Sequence, residues 1–176
     1  LFFSNVKIPK ENILGEPGNG FFYLMQGLAE ERLIAAVGSI ATARRAFNLT
    51  REFVMERQVF GKPLSYMQNT QFKMAEMDAE IEILEIFIDH LVAEHNEERL
   101  TANMAAKAKL QSTEIEWKML DLGVQLHGGA GYMKEYPICN MFTDARINRI
   151  LAGSSEIMKL IISRDIFSEN YSSNLD

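Results

Sequence analysis

Apolar side chains recur at three- and four-residue intervals over most of the chain, a spacing that places them along one face of a helix. The clearest run is Met74, Met77, Ile81, Leu84, Ile88 and Leu91. An earlier run contains Leu33, Val37, Ile40, Phe47 and Val54. A later run contains Ala105, Ala108, Ser112, Ile115, Met119, Leu122 and Leu126. The pattern predicts three long helices, each with one face toward a shared core.

Two further helical segments are expected, near residues 140–150 and 154–168. Glycine-rich stretches at residues 128–131 and 152–153 separate the later segments, and glycine commonly ends a helix. Such short connections favour antiparallel neighbours. The predicted fold is therefore an all-α, up-and-down helical bundle over residues 20–170. The polar tail, residues 171–176, is expected to fray.

The first part of the chain does not follow the helical pattern. Residues 1–8 read LFFSNVKI, a strand-like composition, but no later strand is predicted that could pair with them. Proline and glycine then punctuate the sequence up to residue 20, as in a linker. We interpret residues 1–19 as the end of a preceding β-domain and a linker, which makes this chain the C-terminal part of a larger protein.

Composition and charge narrow the class of protein. The chain has 176 residues, 47% of them hydrophobic, enough for one compact domain. Its net charge of -6 argues against a nucleic-acid surface, which needs clustered cations. No apolar run approaches the ~20 residues that span a bilayer, so a soluble protein is expected. His90 and His95 are not spaced as helical zinc ligands are, and no metal site is predicted.

Five stretches of the chain together resemble the C-terminal helical domain of the acyl-CoA dehydrogenases. They read AEERL, ERQVFGK, QNTQFKMAEM, QLHGGAGY and LAGSSEI, within residues 6–166. The resemblance sharpens the fold to a four-helix bundle with an additional C-terminal helix. It implies FAD-dependent α,β-dehydrogenation of an acyl-CoA thioester, with electron-transfer flavoprotein as acceptor. It also implies a homotetramer, arranged as a dimer of dimers, in the mitochondrial matrix of a eukaryote or the cytoplasm of a bacterium.

The resemblance also implies the catalytic base. Ala152 stands where the family often carries its catalytic glutamate, and Glu31, followed by Arg32, stands where the long-chain and isovaleryl-type branch keeps this base on the first helix of the domain. Arg32, Ala152 and Gly153 would contact the substrate. Abstraction of an α-proton needs a desolvated carboxylate with a raised pKa. Glu30 is a second candidate, and the alternative is that both acids are solvated surface residues. For Arg32 the alternative is a surface ion pair.

The same resemblance implies FAD contacts from nine residues: Arg57, Phe60, Gln68, Thr70, Gln125, Gly128, Gly129, Ser154 and Glu156. Arg57 would reach the pyrophosphate of a neighbouring subunit's FAD, and Phe60 would pack on the cofactor. Each assignment has a structural alternative. Arg57 is also placed as a helix-end cation and Phe60 as a core residue, while the two glycines would form a helix C-cap and Ser154 an N-cap.

Two other functions compete with dehydrogenation. An acyl-CoA oxidase would share the flavin and the base but use oxygen. A non-catalytic helical oligomerisation or binding module would explain the bundle, but it leaves the combination of Glu31 and Ala152 unexplained. In either flavoenzyme the isolated chain is expected to be inactive, because the preceding domain would form part of the flavin site.

Overall fold

The computed structural model describes residues 1–168, and their fold is all-α. Five α-helices lie in this range: α1 Gly20–Glu56, α2 Gln68–Asn96, α3 Ala102–His127, α4 Pro137–Ala145 and α5 Ser155–Ile166. Helix α1 packs most extensively against α3, and α2 lies against both. Helices α4 and α5 also pack on α3. The predicted all-α bundle with an additional C-terminal helix is confirmed.

The core is built from the predicted helical faces. Helix α2 buries five residues of its apolar run: Met77, Ile81, Leu84, Ile88 and Leu91. Small side chains allow α1 and α3 to approach closely, and the fully buried ones are Ala36, Ala43, Ala46, Ala105, Ala106 and Ala108. Val37 is the exception among the predicted core positions of α1, because 41% of its surface is exposed.

The helix boundaries follow local chemistry. The Thr101 hydroxyl accepts a hydrogen bond from the Met104 N–H at the start of α3. Gly128 ends the same helix with a φ of 61°, a left-handed conformation that glycine adopts without a Cβ clash. Helix α4 starts at Pro137, earlier than predicted, because proline suits the first turn of a helix. Its continuation over Arg146–Arg149 is a 3₁₀-helix, not the α-helix expected to residue 150.

Two local features lie outside the helical pattern. Residues 1–8 form no strand, and no strand within residues 1–168 pairs with them; their assignment to the end of a preceding β-domain stays a prediction. A short antiparallel hairpin, β1 Gln58–Val59 with β2 Lys62–Pro63, was not expected from the sequence. Its two turn residues, Phe60 and Gly61, both have positive φ, as in two-residue hairpin turns. The tail at residues 171–176, which was expected to fray, lies outside the described residues.

Gly131 is needed for the close packing that follows α3. A Cβ at this position would lie 2.6 Å from the Val124 carbonyl oxygen and 2.9 Å from the Val124 Cα, so relief would require backbone movement. We expect Gly131→Ala to destabilise the chain by about 1–3 kcal/mol, measured by thermal unfolding. The matched control is Gly129→Ala, because a Cβ at residue 129 would meet no atom within 4 Å. Equal melting temperatures for the two variants would contradict this account.

Candidate functional site

The predicted site residues form two groups that are separated along α1. Glu31 lies in the N-terminal half of this helix, and Arg57 is the residue that follows its last turn. Because Arg57 comes 26 residues after Glu31, the two lie about 39 Å apart along the helix axis at 1.5 Å per residue. The two groups are therefore separate sites within this chain.

The first group surrounds the turn at residues 152–153, which connects the Arg146–Arg149 segment to α5. Ala152 and Gly153 have φ angles of 52° and 94°, so two successive residues are left-handed. A Cβ on Gly153 would lie 2.6 Å from the Met158 Cε. The Lys109 ammonium, completely buried on α3, donates to the Gly153 carbonyl at 2.7 Å. Helix α3 thus anchors the turn through the Lys109 side chain.

Glu114 of α3 ties down both flanks of this turn. Its carboxylate accepts hydrogen bonds from the Arg149 Nε and from the Ser155 hydroxyl, each at 2.9 Å. The Arg149 Nη2 lies 2.9 Å from the other carboxylate oxygen. The guanidinium therefore binds the carboxylate in a bidentate manner, a strong geometry for an arginine–carboxylate pair. Neither Lys109 nor Glu114 was predicted from the sequence, because their partners are distant in the chain.

Arg32 is buried beside Lys109. Only 8% of its surface is exposed, and its Nε has no hydrogen-bond partner in the part of the chain that the structure describes. Within residues 1–168 it forms no ion pair, so the surface ion-pair alternative is wrong. Burial lowers the pKa of Arg32, opposed by the charge of Glu31. Burial also lowers the pKa of Lys109, and the charge of Arg32 lowers it further. Two desolvated cations therefore lie close to the turn.

The side chains of Glu30 and Glu31 lie on different sides of α1. Glu30 lines a groove between α1 and α2, together with Val92 and His95. Glu31 lies outside this groove, and its charge acts on Arg32. This agrees with the rotation of about 100° between successive helical residues. Both acids are exposed in the chain, which fits a surface acid and also a base that another part of the protein covers. The catalytic role of Glu31 stays a prediction.

The second group lines a cleft of about 400 Å³ between the end of α1 and the end of α3. Three predicted cofactor residues meet here: Arg57, Gly128 and Gly129. No atom lies within 4 Å of a Cβ placed on either glycine, so their backbone is accessible to a ligand. Among residues 1–168 no carboxylate pairs with the guanidinium of Arg57. A permanent cation beside open backbone suits an anionic group.

An aromatic wall closes one side of the cleft. The His127 ring stacks on Phe53 with centroids 4.1 Å apart, and Tyr136 meets both rings edge-on at 6.2 Å. The His127 Nδ1 donates to the Gly123 carbonyl at 2.7 Å. Burial lowers the pKa of His127, so the neutral ring is favoured at neutral pH. The histidine orients the aromatic wall, and the glycines that follow it form the floor of the cleft.

The sequence profile described as acyl-CoA dehydrogenase, C-terminal domain, matches residues 18–167. The chain belongs to the acyl-CoA dehydrogenase family. It is 41% identical over 170 residues to the mouse mitochondrial long-chain specific acyl-CoA dehydrogenase, covering 97% of this chain and 40% of that protein. An acyl-CoA dehydrogenase structure from Geobacillus kaustophilus matches with a TM-score of 0.92 and 40% identity, over 95% of this chain and 44% of that one.

A third comparison concerns an acyl-CoA dehydrogenase from Bacillus anthracis, solved in complex with FAD. It matches with a TM-score of 0.84 and 31% identity, over 90% of this chain and 30% of that one. The chain thus spans about two fifths of the length of the mouse relative. The family model that it matches is that of the C-terminal domain.

Several family-type cofactor positions lie apart from the cleft. Phe60 is 98% exposed at the tip of the hairpin, so the core-filling alternative is wrong. Gln125 is exposed in the last turn of α3, beside the cleft, and Gln68 is exposed at the start of α2. Thr70 is buried and lines a different groove, together with Phe47. The chain alone therefore does not assemble all nine predicted contacts in one acyl-CoA dehydrogenase cofactor site.

Ser154 and Glu156 lie at the start of α5, next to the turn of the first group. The Ser154 hydroxyl accepts from the Ile157 N–H, so the N-cap alternative is confirmed. The Glu156 backbone N–H and this hydroxyl hold the pKa of the Glu156 carboxyl below its ordinary value. Within residues 1–168 no group of histidine, cysteine or acidic side chains is arranged to hold a metal ion. In the same range no helix is long and apolar enough to cross a bilayer.

Proposed function

We propose that the protein containing this chain is an FAD-dependent acyl-CoA dehydrogenase of the long-chain and isovaleryl-type branch. The observation that carries the proposal is the combination of Glu31 on α1 with Ala152 in the turn before α5, within a domain of this family. The mouse relative, named for long-chain acyl-CoA, supports the substrate class. The Bacillus anthracis relative, solved with FAD, supports the cofactor.

Dehydrogenation removes a proton from the α-carbon of the thioester and a hydride from the β-carbon. In our proposal the Glu31 carboxylate accepts the α-proton as the C–H bond breaks, and the electron pair of that bond forms the new double bond. FAD, when bound, supplies the acceptor for the hydride. Arg32 places a buried positive charge directly beside Glu31. Ala152 carries no acid, so only one base would be present at the substrate.

The residues of the cleft fit the FAD pyrophosphate. The Arg57 guanidinium would contact its phosphates through charge-assisted hydrogen bonds, while Gly128 and Gly129 would let the backbone approach. Since Arg57 lies about 39 Å from Glu31 along α1, the two would serve different FAD molecules in a homo-oligomer. We assign Phe60 to the same cofactor, and propose the remaining contacts by family resemblance: Gln68, Thr70, Gln125, Ser154 and Glu156.

An exposed apolar surface supports a preceding domain. Six large apolar residues at the start of the chain are each more than half exposed: Leu1, Phe2, Phe3, Phe21, Phe22 and Leu24. Clustered exposed apolar side chains are typical of interaction sites. We propose that a β-domain that ends within residues 1–19 covers it. Such a cover would also exclude water from Glu31, which an α-proton base needs.

The test is anaerobic addition of acyl-CoAs of graded chain length to the full-length protein. We expect the visible absorbance of the oxidised flavin to bleach with at least one thioester. Re-oxidation by electron-transfer flavoprotein, with little oxygen uptake, would support a dehydrogenase. Rapid oxygen uptake would instead indicate an acyl-CoA oxidase. A full-length protein that binds neither FAD nor any acyl-CoA would favour the non-catalytic helical module.

A further inference from the structure

Lys109 is a buried cation that the proposed reaction leaves without a role. None of its surface is exposed, and no carboxylate in residues 1–168 lies within ion-pair distance of its ammonium. Burying an unpaired charge is costly, and an apolar side chain of similar volume would fill the space at lower cost. Within the described residues its ammonium forms one hydrogen bond, donated to the Gly153 carbonyl at 2.7 Å.

The turn that accepts this hydrogen bond is conformationally unusual. Ala152 has a φ of 52°, and a residue with a Cβ adopts left-handed geometry only at an energetic cost. Surrounding contacts must therefore hold the turn in place. Glu114 binds the flanks through Arg149 and Ser155, whereas Lys109 binds a carbonyl of the turn itself.

The same ammonium lies near the helix of the proposed base. The charge of Arg32, the residue after Glu31 in α1, lowers the pKa of Lys109, and the charge of Glu114 raises it. The Lys109 ammonium therefore lies between the turn, which it binds, and the part of α1 that carries Arg32. A shift of the turn would change the distance between the bound thioester and Glu31. For a reacting pair, a misplacement of 1 Å can cost about 10²-fold in rate.

We propose that Lys109 is a positioning residue for the dehydrogenation, which holds the Gly153 carbonyl and so fixes the Ala152–Gly153 turn at the acyl-CoA thioester opposite Glu31. Lys109 itself touches neither substrate nor cofactor. This inference rests on the proposed function for its catalytic part. The contact between Lys109 and the turn stands on the structure alone, and the two parts are tested by separate measurements.

The experiment compares Lys109→Met with the matched control Lys107→Met in the full-length, FAD-loaded enzyme. Lys107 is on the same helix, half-buried, and lines a groove with Lys159 and Ile162 away from the turn. Hydrogen exchange of residues 150–155 reports the turn, and the rate of flavin reduction at saturating acyl-CoA reports positioning. For Lys109→Met we expect faster exchange in this segment, unchanged FAD content and reduction slowed roughly 10- to 100-fold. Lys107→Met should match wild type in all three.

A third variant keeps the test decisive. Lys109→Gln retains an N–H donor on a shorter side chain, so intermediate exchange and intermediate reduction are expected. If Lys109→Met does not fold, Lys109→Gln decides the question. Hydrogen exchange that is faster only at residues 150–155 supports the proposal. Exchange that is faster throughout the chain overturns it. Faster exchange with a wild-type reduction rate overturns the positioning role. If acyl-CoA fails to reduce even the wild-type flavin, the proposed function and the positioning role fail together, and the exchange data still decide the turn contact.

Discussion

Replacing Glu31 by Gln in the full-length protein should slow reduction of the flavin by acyl-CoA by roughly 10²- to 10⁴-fold, the usual range for loss of a general base. The amide has nearly the same shape as the carboxylate but cannot accept the α-proton at neutral pH. FAD content and acyl-CoA affinity should change little, because neither depends on the proton transfer. Anaerobic stopped-flow measurement at saturating substrate separates the chemical step from binding.

Glu30→Gln is the matched control for this variant. Glu30 is the adjacent acid and is equally exposed, but its side chain lines the groove that contains Val92 and His95. Its substitution should leave the reduction rate near that of wild type. Full activity of Glu31→Gln would exclude Glu31 as the base. A large loss in Glu30→Gln with an active Glu31→Gln would instead move the role by one residue.

The helical faces could be predicted because burial repeats with the period of the helix. The α2 residues from Met77 to Leu91 show this directly, since each predicted apolar position in that run is buried. Val37 shows the limit of the same argument. It satisfies the α1 spacing, but it lies at the groove between α1 and α2 that Ile34 and Val92 also line, and it is partly exposed. Periodicity identifies a face but not how far the neighbouring helix covers its edge.

The contacts around the turn at residues 152–153 could not be predicted in this way. A lysine within a helix usually lies at the surface, and Lys109 gives no local sign that its partner is a carbonyl 44 residues away. Glu114 likewise binds residues 35 and 41 positions further along. The local sequence pattern carries no information on such pairings, because α3 and the turn come into contact only in the folded chain.

The residues that were assigned by family resemblance could be predicted only in part. Family resemblance assigned chemistry to Arg57, Gly128 and Gly129 from short matching stretches, and the fold brings these three residues to one cleft. It did not indicate that Glu31 and Arg57 are separated by most of the length of one helix. That separation follows from the unbroken length of α1, which no single motif reveals. It also makes the relation between the two residues testable.

Replacing Arg57 by Ala should weaken FAD retention roughly 10- to 100-fold, as expected for loss of a charged hydrogen bond of about 1.5–3 kcal/mol. The measurement is the dissociation constant of FAD from the full-length protein. High salt should weaken FAD binding more in wild type than in the variant, since the lost contact is electrostatic. Arg45→Ala is the control, because Arg45 is an exposed arginine of the same helix that lines neither the cleft nor the groove that contains Thr70. Equal retention in wild type and Arg57→Ala would leave Arg57 as a helix-end cation.

Mixed oligomers test whether Arg57 acts on a neighbour's cofactor. If each site combines Glu31 of one subunit with Arg57 of the other, an oligomer of Glu31→Gln and Arg57→Ala subunits contains one site that lacks both groups and one that keeps both. At an FAD concentration that fills wild-type sites but leaves Arg57→Ala sites largely empty, the intact site should restore flavin reduction to about half of the wild-type amplitude in each mixed pair. If both groups come from one subunit, every site carries one defect and no fast phase returns. The separation of about 39 Å along α1 predicts the first result.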